Sequence, residues 1–310
     1  MNTPSNAMRD SFSEPRAAAA AVIPPSQHFY WSVRREFWEN RSLYIAPLGV
    51  GALAVAGFLI GAIHLPAKMH AASALGPMQQ HALIERPYIF AELSLMGCMI
   101  VVAAFYCLDS LHGERRDRSI LFWKSLPVSD VTTVLAKACI PILILPLVTF
   151  VITLATQWIM LLLNSAVLLA AGLNPSPPWT QLMWIHRSVG LLYHLMVIHG
   201  LWYAPFYGWL LLVSAWARHA AFLWAVLPPL AIGAVEKIAF NSSHFGALLQ
   251  QRFAGGPEGA ALGAAGMSTD PLVHINPGQF LTSPGMWLGL IVTAAFLAAA
   301  MRLRRYRDPM

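Results

Sequence analysis

The densest group of reactive side chains in this 310-residue chain lies between Asp109 and Asp130, in the run Asp-Ser-Leu-His-Gly-Glu-Arg-Arg-Asp-Arg-Ser-Ile-Leu-Phe-Trp-Lys-Ser-Leu-Pro-Val-Ser-Asp. Glu114 and Asp117 stand three apart, a helical spacing that brings two carboxylates near one another. Such a pair suits a divalent cation or a phosphate-bearing substrate. Arg115, Arg116 and Arg118 flank it, however, and guanidinium groups compete with Mg²⁺ for carboxylates. The apolar segment Ile120, Leu121, Phe122 and Trp123 follows, then Lys124, and Leu126-Pro127 stops the run. Ser129 or Asp130 is placed to cap a following helix. A loop with this composition is built to press on something. It is either a protein-docking knob with aromatic anchors and a charged rim, or a short helix resting on lipid headgroups.

Other chemistry is sparse. There are eleven histidines but no His-Glu-x-x-His pattern. His194 and His199, five apart, do not share a face of an α-helix and read as polar contacts between helices rather than haem or metal ligands. No metal site and no catalytic residue is expected. Cys98, Cys107 and Cys139 lie in apolar stretches without paired spacing and read as small buried hydrophobes. A phosphate-cradling loop needs Gly-Lys-Ser/Thr, and none of the four lysines (Lys68, Lys124, Lys137, Lys237) follows a glycine. No ATP site is expected on this chain.

The elements that must position these residues follow from composition. The chain is 57% hydrophobic and 11% charged, against ~25% charged in ordinary soluble domains. A water-facing surface cannot be made from so few charges, and disorder requires low hydrophobicity. The fold class is an all-α polytopic membrane protein. A crossing takes ~20 apolar residues, and six spans are predicted at about 43–65, 88–108, 132–172, 188–217, 220–236 and 281–301. The third is too long for one simple crossing and is expected to protrude or bend near Pro141 and Pro146; the fifth is interrupted by Pro228-Pro229. Residues 1–26 form a tail without the pattern of a cleaved signal, and 27–41 an interfacial amphipathic helix on which Tyr30, Val33, Phe37 and Trp38 share a face. Residues 42–303 form the transmembrane domain, 109–131 the loop described above, 238–280 an external segment with apolar patches able to re-enter the membrane, and 304–310 a basic tail.

Net charge is +6, which in such a chain reports orientation rather than nucleic-acid binding. Fifteen Lys and Arg residues fall before the first span, between the second and third, between the fourth and fifth, and after the sixth; five (Lys68, Arg86, Arg187, Lys237, Arg252) fall on the other side. Both termini and the 109–131 loop are therefore expected in the cytoplasm. Glu92, one turn inside the second span near its external end, is the charge most worth testing for function, with snorkelling to the interface as the plain reading. Glu236 and Lys237 read as a membrane boundary. Gly57 and Gly61 have the spacing of a close helix contact, a pattern common by chance.

The run from Gly113 to Asp130, at the cytoplasmic end of the second of six spans, resembles the permease subunit of bacterial ABC-2 type transporters. The resemblance extends over the topology of most of the chain and is sharp only from about Leu111 to Val134. It implies that the loop is a coupling helix seated in a cleft of a separate ATPase. Glu114, Arg115, Arg116, Asp117, Arg118 and Lys124 would then make polar contacts and Ile120, Leu121, Phe122 and Trp123 the docking surface. It further implies two permease copies, two ATPase copies carrying ATP and Mg, and a path between subunits to which Glu92, Ser94, Met96, Met99, Phe222 and Trp224 contribute. The setting would be the bacterial inner membrane. The alternatives are a membrane enzyme acting on lipid or isoprenoid through the Glu114–Arg118 cluster, and a non-catalytic scaffold or sensor.

Overall fold

The computed structural model describes residues 24–65, 67, 76–117, 129–181, 184–255 and 281–306. Their regular structure is entirely helical. α1 (Pro25–Glu39) precedes the long α2 (Ser42–Ala62) and α3 (Pro77–Ser110), and the one-turn α4 (His112–Arg116) follows α3 directly. After residues 118–128, outside the described residues, come α5 (Asp130–Cys139), a π-helical segment (Ile140–Ile144) and α6 (Leu145–Ala170). α7 (Ser176–Gln181) leads to α8 (Trp184–His194), a second π-helical segment (Leu195–Trp202) and α9 (Ala204–Trp216). The chain continues with α10 (Ala221–Phe240), α11 (His244–Phe253) and α12 (Pro284–Tyr306).

Among the described residues, five helical runs are long and apolar enough to cross a membrane: Ser42–Ala62, Gln79–Arg116, Asp130–Ala170, Ala221–Phe240 and Pro284–Tyr306. Trp184–Trp202 and Ala204–Trp216, bent by 46°, make a sixth if they form one span. Each predicted span overlaps one of these. Two details differ. α3 begins at Pro77, well before residue 88, because Glu85 and Glu92 are paired inside the protein and do not end the helix in water. α10 runs unbroken through Pro228-Pro229. Pro229 has no N–H for the carbonyl of Ala225, four residues back, and that oxygen instead accepts a hydrogen bond from Trp209 Nε1 at 3.0 Å. A freed carbonyl in a membrane helix is tolerated on this condition.

α3 is the central element. Met96, Met99, Ala103, Tyr106 and Cys107, spaced by three and four residues, form a stripe that packs on Leu145, Leu191, Leu195, Tyr207, Leu211 and Leu297. A second apolar cluster joins Ile84, Tyr88 and Ala91 of α3 to Met160 and Leu161 of α6. α10 is nearly bare, with 6% of its most apolar stretch buried inside the chain and Phe222, Leu230 and Ile238 exposed. On α1 the buried face is narrower than predicted. Val33 and Phe37 pack on the core, but Tyr30 and Trp38 are exposed because Glu36 occupies the inner position between them. Ser129 is the cap of α5, its side chain accepting from the Thr132 N–H.

The bend expected near Pro141 and Pro146 takes the form of the π segment Ile140–Ile144. It packs against the other π segment, and the contact requires a glycine: a Cβ on Gly200 would lie 2.6 Å from the carbonyl oxygen of Ile142. Gly200→Ala should therefore destabilise the protein by about 1–3 kcal/mol, the usual cost of overpacking a close contact. Thermal unfolding in detergent would register this as a lower midpoint. Gly57→Ala, where a Cβ meets nothing within 4 Å, should leave the midpoint where it is.

Candidate functional site

The 109–131 loop enters and leaves the membrane domain through a buried charge network. Lys137 of α5 is 3% exposed and contacts two carboxylates, Glu36 of α1 at 2.9 Å and Glu114 of α4 at 3.0 Å. Arg304, from the last turns of α12, pairs with Glu114 and, at 3.0 Å, with Asp130. Arg35 lies 2.7 Å from Glu36 and 3.6 Å from Glu114. Tyr106 Oη donates to the second oxygen of Glu36 at 3.0 Å. Glu36, Glu114 and Asp130 are thus matched by Lys137, Arg304 and Arg35. Burying charges is tolerable only with this kind of pairing and hydrogen bonding. Burial alone would raise the Glu36 carboxyl, but the neighbouring Lys137 and Arg35 cations outweigh it and hold it below its ordinary value of 4.5.

The turn from α3 to α4 is held by Ser214 near the end of α9. Its hydroxyl accepts from the N–H groups of Leu111 (3.1 Å) and His112 (2.9 Å) and donates to the Leu108 carbonyl (2.8 Å). Arg115, 4% exposed, donates to the Ala215 carbonyl at 2.6 Å. A cation at the carbonyl end of α9 is favourably placed in the field of that helix. Of the residues expected to touch an ATPase, Glu114 and Arg115 are thus engaged within the chain. Arg116 and Asp117 are exposed and paired at 3.1 Å. Arg118, Ile120, Leu121, Phe122, Trp123 and Lys124 lie outside the described residues. Glu114 and Asp117 take different partners and do not converge on a common point.

In the N-terminal half of α3, Glu92 is buried, not snorkelling, and so is Glu85. Both pair with Arg187 of α8, Glu92 at 2.8 Å, and Gln157 of α6 donates to Glu92 at 3.2 Å. Glu85 and Glu92 are seven apart on one face of α3, with Tyr88 between them accepting from Asn164 at 3.3 Å. The candidate path residues do not share a surface within one chain. Met96 and Met99 lie in the core, Ser94 donates to the Phe90 carbonyl, and Phe222 and Trp224 are exposed on α10, Trp224 edge-on to Trp216 at 4.6 Å.

The histidine expectation is corrected. His194 and His199 have ring centroids 5.1 Å apart, since in the π-helical Leu195–Trp202 residues five apart face the same way. Among the described residues, no group of three or more His, Cys, Asp or Glu is placed to hold a metal ion. Glu236 accepts from Ser242 and from the N–H groups of His244 and Phe245, so it caps α11; it does not end α10, which runs on to Phe240. The three cysteines are free thiols, Cys107 buried.

Glu36, Lys137, Arg304, Glu85 and Arg187 were not singled out by type or spacing. For Glu85 and Glu92 the seven-residue interval was a usable signal. For Lys137, Arg187 and Arg304 there was none, because each stands at the edge of an apolar run where a cation ordinarily faces water. No family model matches this chain, and neither the curated proteins nor the solved structures contain a match.

Lys137→Met should remove about 3–5 kcal/mol of stability, since it leaves Glu36 and Glu114 buried without their shared cation. The double variant Lys137→Met, Glu36→Gln should recover part of that loss. Chemical unfolding in micelles reads both. The depressed Glu36 carboxyl sets a pH dependence: its contribution is complete above its ordinary value of 4.5 and disappears as pH falls through the lowered one. Acidification below 4.5 should lower the unfolding midpoint, and Glu36→Gln should flatten that decline.

Proposed function

We propose that this chain is the membrane-spanning permease subunit of an ATP-driven exporter of the ABC-2 type. One observation supports the reading more than any other. Glu114, four residues before the 118–128 segment, joins α1, α5 and α12 through Arg35, Lys137 and Arg304. A segment docked on a motor should not hang from a loose tether; it should join the membrane helices through a stiff connection, and Glu114 with the Ser214 contacts supplies one. In this reading Phe122 and Trp123 fill a cleft in the ATPase, and ATP-driven closure of an ATPase dimer moves α3 and α5 in each of two permease copies. Access to the path between the copies then alternates as two packings of similar stability exchange. ATP and Mg belong to the partner, and no covalent step falls on this chain. In this reading the bent α8–α9 run counts as one of six crossings, both termini share a side with the coupling segment, and the distribution of Lys and Arg supports the cytoplasm as that side. The excess of Lys and Arg on that side persists when the buried Arg115, Lys137 and Arg304 and the half-buried Arg35 are set aside.

The lipid-enzyme reading loses support from the geometry, because the two carboxylates it would use are committed to different arginines and a lysine. Affinity purification tests the proposal. An ATPase with a Gly-Lys-Ser/Thr loop should elute with the wild-type chain and be absent with Phe122→Asp, Trp123→Asp. Retention of the ATPase by the double variant, with hydrolysis unchanged, would overturn the docking role.

A further inference from the structure

We propose that the open groove between α1 and the junction of the first π segment with α6 binds one anionic phospholipid of the leaflet in which α1 lies. Val33 and Phe37 form one wall, and Ile144, Leu147 and Val148 the other. The groove holds about 420 Å³, and its exposed wall is apolar throughout. That volume falls within the range of small-molecule sites, ~300–1,000 Å³, and away from Arg34 water in such a trough would find no hydrogen-bonding partner.

Depth and charge identify the occupant. The uncharged run of the third hydrophobic stretch begins at Ala138, so Ile144 to Val148 stand about two to three helical turns inside it. This is where an acyl chain begins below its headgroup. α1, with Tyr30 and Trp31 exposed, has the aromatic character of the headgroup layer. Arg34 lines the groove and is exposed, its guanidinium 5.0 Å from the Trp31 ring. Its neighbour Arg35 is taken up by Glu36 and Glu39, whereas Arg34 pairs with no carboxylate among the described residues. A guanidinium so placed presents a fork to a phosphate. A zwitterionic headgroup would set its own cation beside Arg34, and an anionic one would not. The inference needs the chain to lie in a bilayer but does not depend on its being a permease.

Native mass spectrometry of the full chain in detergent, titrated with dioleoyl phosphatidylglycerol against dioleoyl phosphatidylcholine, provides the test. One phosphatidylglycerol per chain should be retained with a preference of about fivefold, the factor expected of one arginine near an anionic surface. Arg34→Gln should bring the ratio to about one, and Arg302→Gln, exposed at the end of α12, should not change it. Leu147→Trp should reduce binding of both lipids by filling the trough; Val148→Phe does the same should the first variant fail to fold, which thermal unfolding reports. Equal retention of both lipids by the wild type, or an unchanged preference in Arg34→Gln, would overturn the proposal. Displacement by glycerol phosphate as effective as by the intact lipid would also overturn it, making this a plain phosphate site. So would several-fold tighter lipid binding after removal of residues 1–23, which would assign the groove to the chain's own Ala17–Ile23 run.

Discussion

An ammonium group withdrawn almost wholly from water must be met by carboxylates, and Lys137 is met by two that come from different parts of the chain. Much of the arrangement of this half of the bundle follows from that requirement. Glu36 can reach Lys137 only if α1 lies against α5, and this turns Tyr30 and Trp38 outward. Glu114 can reach it only if the chain bends at once after α3, and Ser214 holds that bend. The second oxygen of Glu114 then needs a cation of its own, which draws in Arg304 and with it the end of α12. Desolvation makes such networks poor sources of net stability. Their effect is on arrangement: few other packings of these helices would leave every one of these charges paired.

A second charged cluster, Glu85, Glu92 and Arg187, stands in the N-terminal half of the same central helix. Between the two, α3 presents an apolar stripe to nearly every other long helix. Its 34 residues amount to ~51 Å at 1.5 Å per residue, more than the hydrocarbon layer. A helix held by ion pairs in its N-terminal half, and at its C-terminal end by the Tyr106–Glu36 hydrogen bond and the Ser214 contact, transmits displacement instead of absorbing it. In the proposed permease, this would link the docking segment to the opposite side of the membrane. α10 has the contrary character. Little of its surface is covered by the other described residues, which suits contact with lipid or a second subunit.

The sequence was most legible where hydrophobicity alone decides. The helical, apolar class of the chain, the places of the long helices and the cap at Ser129 all rest on apolar run length or local hydrogen bonding, both of which a single chain displays. The charged site was much less legible. Glu92 stood out because it interrupts an apolar run, yet its partner Arg187 resembled an ordinary loop cation. Lys137, Arg35, Arg115 and Arg304 were indistinguishable from residues that mark the cytoplasmic side, because a membrane-boundary cation and a buried pair member occupy the same place in the sequence. Their partners lie about 100 residues away for Lys137 with Glu36 and 190 for Arg304 with Glu114, and no local pattern encodes such a distance. The 118–128 segment, which carries the aromatic part of the expected docking surface, lies outside the described residues.

The two π segments bear on how faces are assigned along these helices. An α-helix advances ~100° per residue, and a turn closed by five residues instead of four inserts one position into that count. Any wheel drawn through Ile140–Ile144 or Leu195–Trp202 with a constant period therefore slips out of phase on the far side, by an angle large enough to exchange a lipid-facing position for an interior one. His194 and His199 are the visible symptom. Amphipathicity computed separately for Leu145–Ala170 and Ala204–Trp216, with the phase reset at each start, is the form in which the outward faces of these spans become readable.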